Sequence, residues 1–352
     1  MVAAEAEAPT FIALGDFGDL HRLGNQLAAS ACARLEDTQV VRVAPEARAF
    51  EELMQGLARL EKRHPSGVSN NCFGAIVGPS LDDFWVSYIA RGKYGDSAYA
   101  EIERFEKGKA VATARLPGPL RFAAPWTSSR TLVAIGKEWG PGPLGAPLPQ
   151  EPVRLIVLDR RGLATPAPLQ LEKGCARSRL VDVAGLWVGS NGEVVLSGTD
   201  CESGRIALER FAAEGQAHAF VTFPVNGVGR LFDLQGQPAL AIQVFDAEGD
   251  TPARGDLFRW DGASFTVVEL PDHQMVLAAA QAPNGDLWVI VDGPGGDRLV
   301  YRRRAGWKRI AVPLSGYLDG LEILPAASGA SYDLYLSSNS ELARAHIEAL
   351  GD

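Results

Sequence analysis

The sequence is poor in cysteine, with four in 352 residues, Cys32, Cys72, Cys175 and Cys201. None lies in a C-x-x-C pair or at metal-ligand spacing from a histidine, which argues against zinc. It lacks any apolar run approaching the ~20 residues that a membrane-spanning helix needs. Basic charge is also short, with 34 Lys and Arg against 43 Asp and Glu and a formal net charge of −9. That balance repels polyphosphate and anionic lipid, so neither a nucleic-acid partner nor a charged membrane surface is expected. G-x-S-x-G, H-E-x-x-H and Walker sequences are missing, which leaves the common hydrolase and nucleotide readings without local support. Gly140-Pro141-Gly142-Pro143-Leu144-Gly145 matches G-x-G-x-x-G as text, but its prolines forbid the helix a dinucleotide site requires. Asp246, Glu248 and Asp250 alternate like early calcium-loop ligands, yet Leu257 stands where the bidentate Glu belongs, so a solvated acidic loop is expected.

What is present is turn chemistry. Thirty-eight Gly and 22 Pro accompany 46% hydrophobic residues, a composition for many short strands around a buried core. One phrase recurs: apolar strand, Asn-Gly-like turn, apolar strand, loop, strand, Gly turn, strand, Pro. Its clearest copy runs from Met275 to Pro313, with Pro283-Asn284-Gly285-Asp286 as the first turn. Others run from Val181 to Pro224, with Ser190-Asn191-Gly192, and from Val228 to Pro271, with Gln235-Gly236. A truncated copy begins at Gly320 with its turn at Ser328-Gly329. The turn glycines Gly192, Gly236, Gly285 and Gly329 are 44, 49 and 44 residues apart, the period of a propeller blade. Two divergent copies span Phe73 to Pro117, where Asp82-Asp83-Phe84-Trp85-Val86 matches Gly285 to Val289, and Leu120 to Pro168.

The last unit has only three strands, Leu321 to Leu324, Tyr332 to Leu336 and Leu342 to Ile347. An unfilled sheet edge is normally closed by the other end of the chain, and Thr10 to Leu14 is the natural donor. The expectation is one all-β propeller over residues 10–352 behind a flexible leader at 1–9. Seven four-stranded blades are preferred, with residues 15–45 as a compressed blade; six is the alternative. In Glu46 to Arg63 the apolar residues Ala47, Phe50, Leu53, Met54, Leu57 and Leu60 recur at helical spacing, which predicts one inserted helix.

The phrases Pro283-Asn284-Gly285-Asp286-Leu287-Trp288-Val289 and Leu186-Trp187-Val188-Gly189-Ser190-Asn191-Gly192 resemble bacterial β-propellers with two-component-regulator-type and NHL-like repeats. The resemblance covers about residues 70 to 347 and implies an architecture, not a chemistry, because such blades occur in sensors, enzymes and scaffolds.

In such a blade the start of the first strand and the loop between strands two and three share one face, called the top here. Long insertions fall there, at Glu46 to Arg63, Gly136 to Pro152 and Asp246 to Gly255, so the site is expected at the channel mouth on this face. Ten residues before each turn glycine stand Asp182, Asn226, Met275 and Asp319, at the starts of innermost strands. Asp182, Asn226 and Asp319 are read either as oxygen ligands for Ca²⁺ or Mg²⁺ in the channel, or as local turn caps, the preferred reading. No other cofactor is expected. His273, two residues before Met275, is the histidine placed near the mouth, an echo at fold level of a propeller lyase that uses His and Mg²⁺. His21, His64, His218 and His346 read as surface or strand positions. Trp139 is a candidate stacking residue on a top loop. Trp85, Trp187, Trp260, Trp288 and Trp307 read as core.

The leader Met1 to Pro9 has no apolar segment and reads as the start of a mature exported chain, with an anchor upstream left open. Export permits disulfides. Cys175 precedes the unit starting near Val181 and Cys201 follows its second strand, so they are expected to pair, leaving Cys32 with Cys72. The functional expectation is a monomeric, non-catalytic, extracytoplasmic propeller that binds a protein, peptide or glycan through its top face. The alternatives are a metal-dependent lyase or hydrolase at the channel mouth and a structural envelope protein.

Overall fold

A computed structural model describes residues 11–15, 19–23, 26–31, 39–43, 51–52, 75–91, 98–116, 120–135, 154–175, 178–213, 217–245, 252–261, 264–270, 275–293, 298–304, 306–314, 317–326, 331–338 and 341–348. These residues form four-stranded antiparallel sheets arranged as a single β-propeller. Seven such sheets are present.

From innermost to outermost strand, blade 1 is Asp19–Leu23, Gln26–Ala31, Gln39–Val43 and Glu51–Glu52. Blade 2 is Ala75–Ser80, Asp83–Arg91, Ala98–Glu106 and Lys109–Arg115. Blade 3 is Leu120–Thr127, Arg130–Ile135, Arg154–Asp159 and Ala164–Pro166. Blade 4 is Leu180–Val188, Val194–Asp200, Ile206–Phe211 and Ala217–Thr222. Blade 5 is Val228–Leu234, Gln237–Phe245, Pro252–Trp260 and Phe265–Val268. Blade 6 is Met275–Gln281, Leu287–Asp292, Arg298–Arg303 and Trp307–Ile310. Blade 7 takes Leu318–Pro325, Tyr332–Ser338 and Leu342–Ile347 from the C-terminal end and Phe11–Gly15 as its outer strand. Ile12 pairs with Arg344 and Phe11 with Ala345, as the missing strand of the last repeat required. Each innermost strand meets the next around the axis, and that of blade 1 touches those of blades 2 and 7.

Strand preference and turn geometry agree throughout this frame. At the tip of blade 5 both Gln235 and Gly236 have positive φ, 55° and 76°, the mirror-image turn whose twist matches two flanking strands. Between blades 4 and 5 the innermost strands approach so closely that a Cβ on Gly185 would lie 2.6 Å from Ser197 Oγ and 3.0 Å from the Leu231 amide. The cores lie between blades: Trp288, Leu334 and Leu336 fill the space between blades 6 and 7, and Trp126, Leu132, Leu196 and Phe211 that between blades 3 and 4. Trp85, Trp187 and Trp288 are buried as expected, whereas Trp260 and Trp307 are only half-buried on outer strands.

A repeated ionic stitch ties second to third strands. An acid at the start of strand two reaches an Arg that faces the residue two places further on. Asp83 binds Arg104, opposite Trp85, at 2.7 Å, and Asp333 binds Arg344, opposite Tyr335, at 2.8 Å. Asp286 binds Arg302, opposite Trp288, at 2.9 Å, and Glu193 binds Arg210, opposite Val195. In blade 6 the acid of the stitch is fully buried: Trp288 Nε1 donates to Tyr332 Oη at 2.9 Å, and Tyr332 donates to Asp286 at 3.0 Å.

The inserted helix is a correction. Glu51 and Glu52 pair with Arg42 and Val41 as the outer strand of blade 1, and no helix occurs among the described residues. Completing a four-stranded sheet outweighs a local helical spacing, because propensity is a weak prior against tertiary pairing. The remainder of that stretch, the loop 136–152, residues 246–251 of the acidic loop and Ser328-Gly329 lie outside the described residues, as does the leader.

Candidate functional site

Along the axis, the innermost strands of blades 5, 6, 7 and 1 enclose a cavity of about 900 Å³. Leu277, Ala278, Ala279 and Ala280 line it on blade 6, and Gly320, Leu321 and Ile323 on blade 7. Gln235, Gly236 and Pro283, from the short turns of blades 5 and 6, mark its mouth. The cavity therefore opens on the short-turn face, opposite the face that the loop lengths favour.

Among the described residues, three charged side chains line it: Arg22 from blade 1, Asp233 from blade 5 and Glu322 from blade 7. Burial pushes the Glu322 carboxyl up to about 7, with Arg22 pulling it down and Asp233 pushing it further up. Asp233 Oδ1 accepts the Gly236 N–H at 2.6 Å. Gln235 Nε2 donates to the Ala282 carbonyl and Gln281 Nε2 to that of Gly285, the latter at 3.2 Å. Gln281 Oε1 is buried with no hydrogen-bond partner among the described residues. The polar lining thus surrounds a carboxyl that changes charge near neutral pH.

Of the ligand-site residues singled out from the sequence, Asp182 and Asn226 are described with their side chains. Asp182 is exposed on the innermost strand of blade 4, at φ 49° inside a register shift between Val181 and Gly185. Asn226 is exposed just before the first strand of blade 5. Asp319 stands in the register shift between Leu318 and Gly320, and its side chain lies outside the described residues, as do His273 and Trp139. Among the described residues no three His, Cys, Asp or Glu side chains converge as metal ligands. His346 is an exposed strand residue whose Nδ1 lies 2.8 Å from Asp333. Arg22, Asp233 and Glu322 were not singled out, although a Glu between Leu321 and Ile323 in an apolar strand was a visible signal.

On the opposite, long-loop face, Cys175 and Cys201 form a disulfide. It fastens the segment before blade 4 to the loop after that blade's second strand. Next to it Arg179 grips the buried Asp200 with Nε at 2.9 Å and Nη2 at 3.3 Å, and Ser203 adds a 2.6 Å bond. Burial pushes the Asp200 carboxyl up, but Arg179, Ser203 and the Glu202 amide outweigh it and hold it below the usual range. Beneath the same segment Glu209 is fully buried and accepts the Glu172 N–H, and burial raises its carboxyl to about 7. Cys32 and Cys72 lie outside the described residues.

No protein-family description and no curated protein matches the chain. Solved structures do. The chain is similar to YCF48 from Cyanidioschyzon merolae at 12% identity and TM-score 0.60, over 97% of this chain and 99% of that one. A structure of YCF48 bound to a D1 peptide matches at 10% identity and TM-score 0.57, over 99% of each chain. The extracellular domain of the one-component system BT4673 from B. thetaiotaomicron matches at 9% identity and TM-score 0.54, over 98% of this chain but 39% of that one. At these identities the likeness is one of fold, and the structural neighbours are β-propeller proteins.

Proposed function

We propose that this protein is an extracytoplasmic, non-catalytic β-propeller that binds a protein or peptide partner in its axial cavity. The observation that carries the reading is the cavity itself, about 900 Å³ lined by apolar and polar groups in similar measure, in the ~300–1,000 Å³ range of ligand sites. A bound peptide in a YCF48 structure and the extracellular domain of a one-component system among the neighbours support this class of role. The Cys175–Cys201 disulfide supports an oxidising compartment. The proposal moves the site from the long-loop face to the short-turn face, because there the described residues form a space for a ligand.

The test is selection of peptides from a random display library on the immobilised protein, followed by calorimetric titration. Selected peptides are expected to bind at micromolar Kd, unaffected by EDTA, and at least tenfold more weakly to Leu231→Trp, which narrows the cavity. Equal binding to that variant would place the site elsewhere. EDTA-sensitive binding would favour the metal-dependent alternative, and an empty selection would end the partner reading.

A further inference from the structure

Glu322 takes no part in the ionic stitches that hold the blades. It lies mid-strand on blade 7, in register with Tyr335, between two buried apolar residues, Leu321 and Ile323. The charged groups that face it from the other walls are Arg22 on blade 1 and Asp233 on blade 5. Arg22 is already engaged by an interaction of its own. Two carboxylates against one guanidinium leave the ionised cavity net negative.

Gln235 and Gln281 each donate one amide N–H to a backbone carbonyl at the mouth. The charge of the cavity is set by its carboxylates, and an incoming group that balances it must bring positive charge.

We propose that the axial cavity takes a cationic nitrogen of a peptide partner, an N-terminal ammonium or a lysine side chain, with Glu322 as its counter-ion. The proposal rests on the partner-binding reading and names the chemistry of that site. An arriving ammonium replaces the proton on Glu322 as the group that balances its charge. Binding near pH 7 accordingly releases a proton and affinity rises from pH 6 to about 7.5; towards pH 8 a lysine ammonium keeps the gain, whereas an N-terminal ammonium, with its ordinary pKa of about 8, begins to lose it.

The probe is leucyl-lysine amide in four forms: unmodified, N-acetylated, with norleucine in place of lysine, and with both changes. Calorimetry gives Kd from pH 6 to 8, and carbon-detected NMR follows the Glu322 carboxyl. The unmodified form is expected to bind and to lower the Glu322 titration midpoint by at least one pH unit. The two single changes show which nitrogen is used. The doubly neutral form is expected to lose binding tenfold or more, and so is the unmodified form with Glu322→Gln. Asp233→Asn tests the second carboxylate, with a severalfold loss expected. Equal binding of all four forms, an unmoved Glu322 midpoint, or no binding of any form at millimolar concentration overturns the proposal. Library peptides that need the open cavity yet ignore acetylation, lysine replacement and Glu322→Gln would sink this inference and leave the partner reading standing.

Discussion

Tyr332 connects two blades through one oxygen. Its hydroxyl accepts from Trp288 and donates to Asp286, all three residues are fully buried, and burial pushes the phenol well above its ordinary range. Tyr332→Phe leaves the Trp288 N–H without an acceptor and is expected to cost about 1–3 kcal/mol. Asp286→Ala strands the Arg302 guanidinium, whose side chain is 12% exposed, and the larger loss of about 3–5 kcal/mol is expected. Urea unfolding of both variants checks the order; equal effects would mean that the guanidinium is re-solvated. Glu209 behaves in the opposite sense. Its folded carboxyl titrates near 7 against 4.5 for an ordinary glutamate, so the folded protein holds this proton more tightly. Stability then falls as pH rises across that interval and levels off above it. Glu209→Gln is expected to raise Tm at pH 8 and to leave it unchanged near pH 4.5, as read by calorimetry at the two pH values.

Among the elements, the outer strand of blade 7 is the one supplied from the opposite end of the chain. Ala13 pairs with Ala343 in mid-strand. Ala13→Pro removes a backbone donor and fits poorly inside a paired strand, so lower Tm and exposure of the Leu342–Ile347 edge are expected. Amide exchange across residues 342–347 reads this directly, and unchanged protection there would show that the strand is dispensable. This closure was legible in the sequence because the last repeat is one strand short. The turns were legible because Asn284-Gly285 and Gln235-Gly236 advertise positive φ. Glu51–Glu52 was not, since its neighbours carry helical spacing and its partner strand lies across a loop. The acid–Arg stitches were hidden for a different reason: each acid marks strand two, but the distance to its Arg varies with the length of the loop between them. The cavity was least legible, because Arg22 and Glu322 stand at opposite ends of the sequence and meet only when the ring closes.

At the scale of the whole molecule, the ring makes blade 7 a joint between the beginning and the end of the polypeptide. During synthesis the segment Phe11–Gly15 emerges before the other strands of the ring and waits until Leu342–Ile347 is complete before it has a partner. The circle is thus sealed only after the rest has been made, and the sealing contact has nearly the greatest sequence separation the chain allows. Such non-local pairing slows folding and leaves an open sheet edge in the meantime. A circular permutant in which residues 1–18 follow residue 352 converts it into an ordinary neighbouring hairpin. Stopped-flow refolding of that permutant is expected to be faster than that of the natural order, with the same final Tm. A nascent chain bearing an unsealed circle is also the species most exposed to wrong partners, so the sealing step is where a holding chaperone gains its purchase.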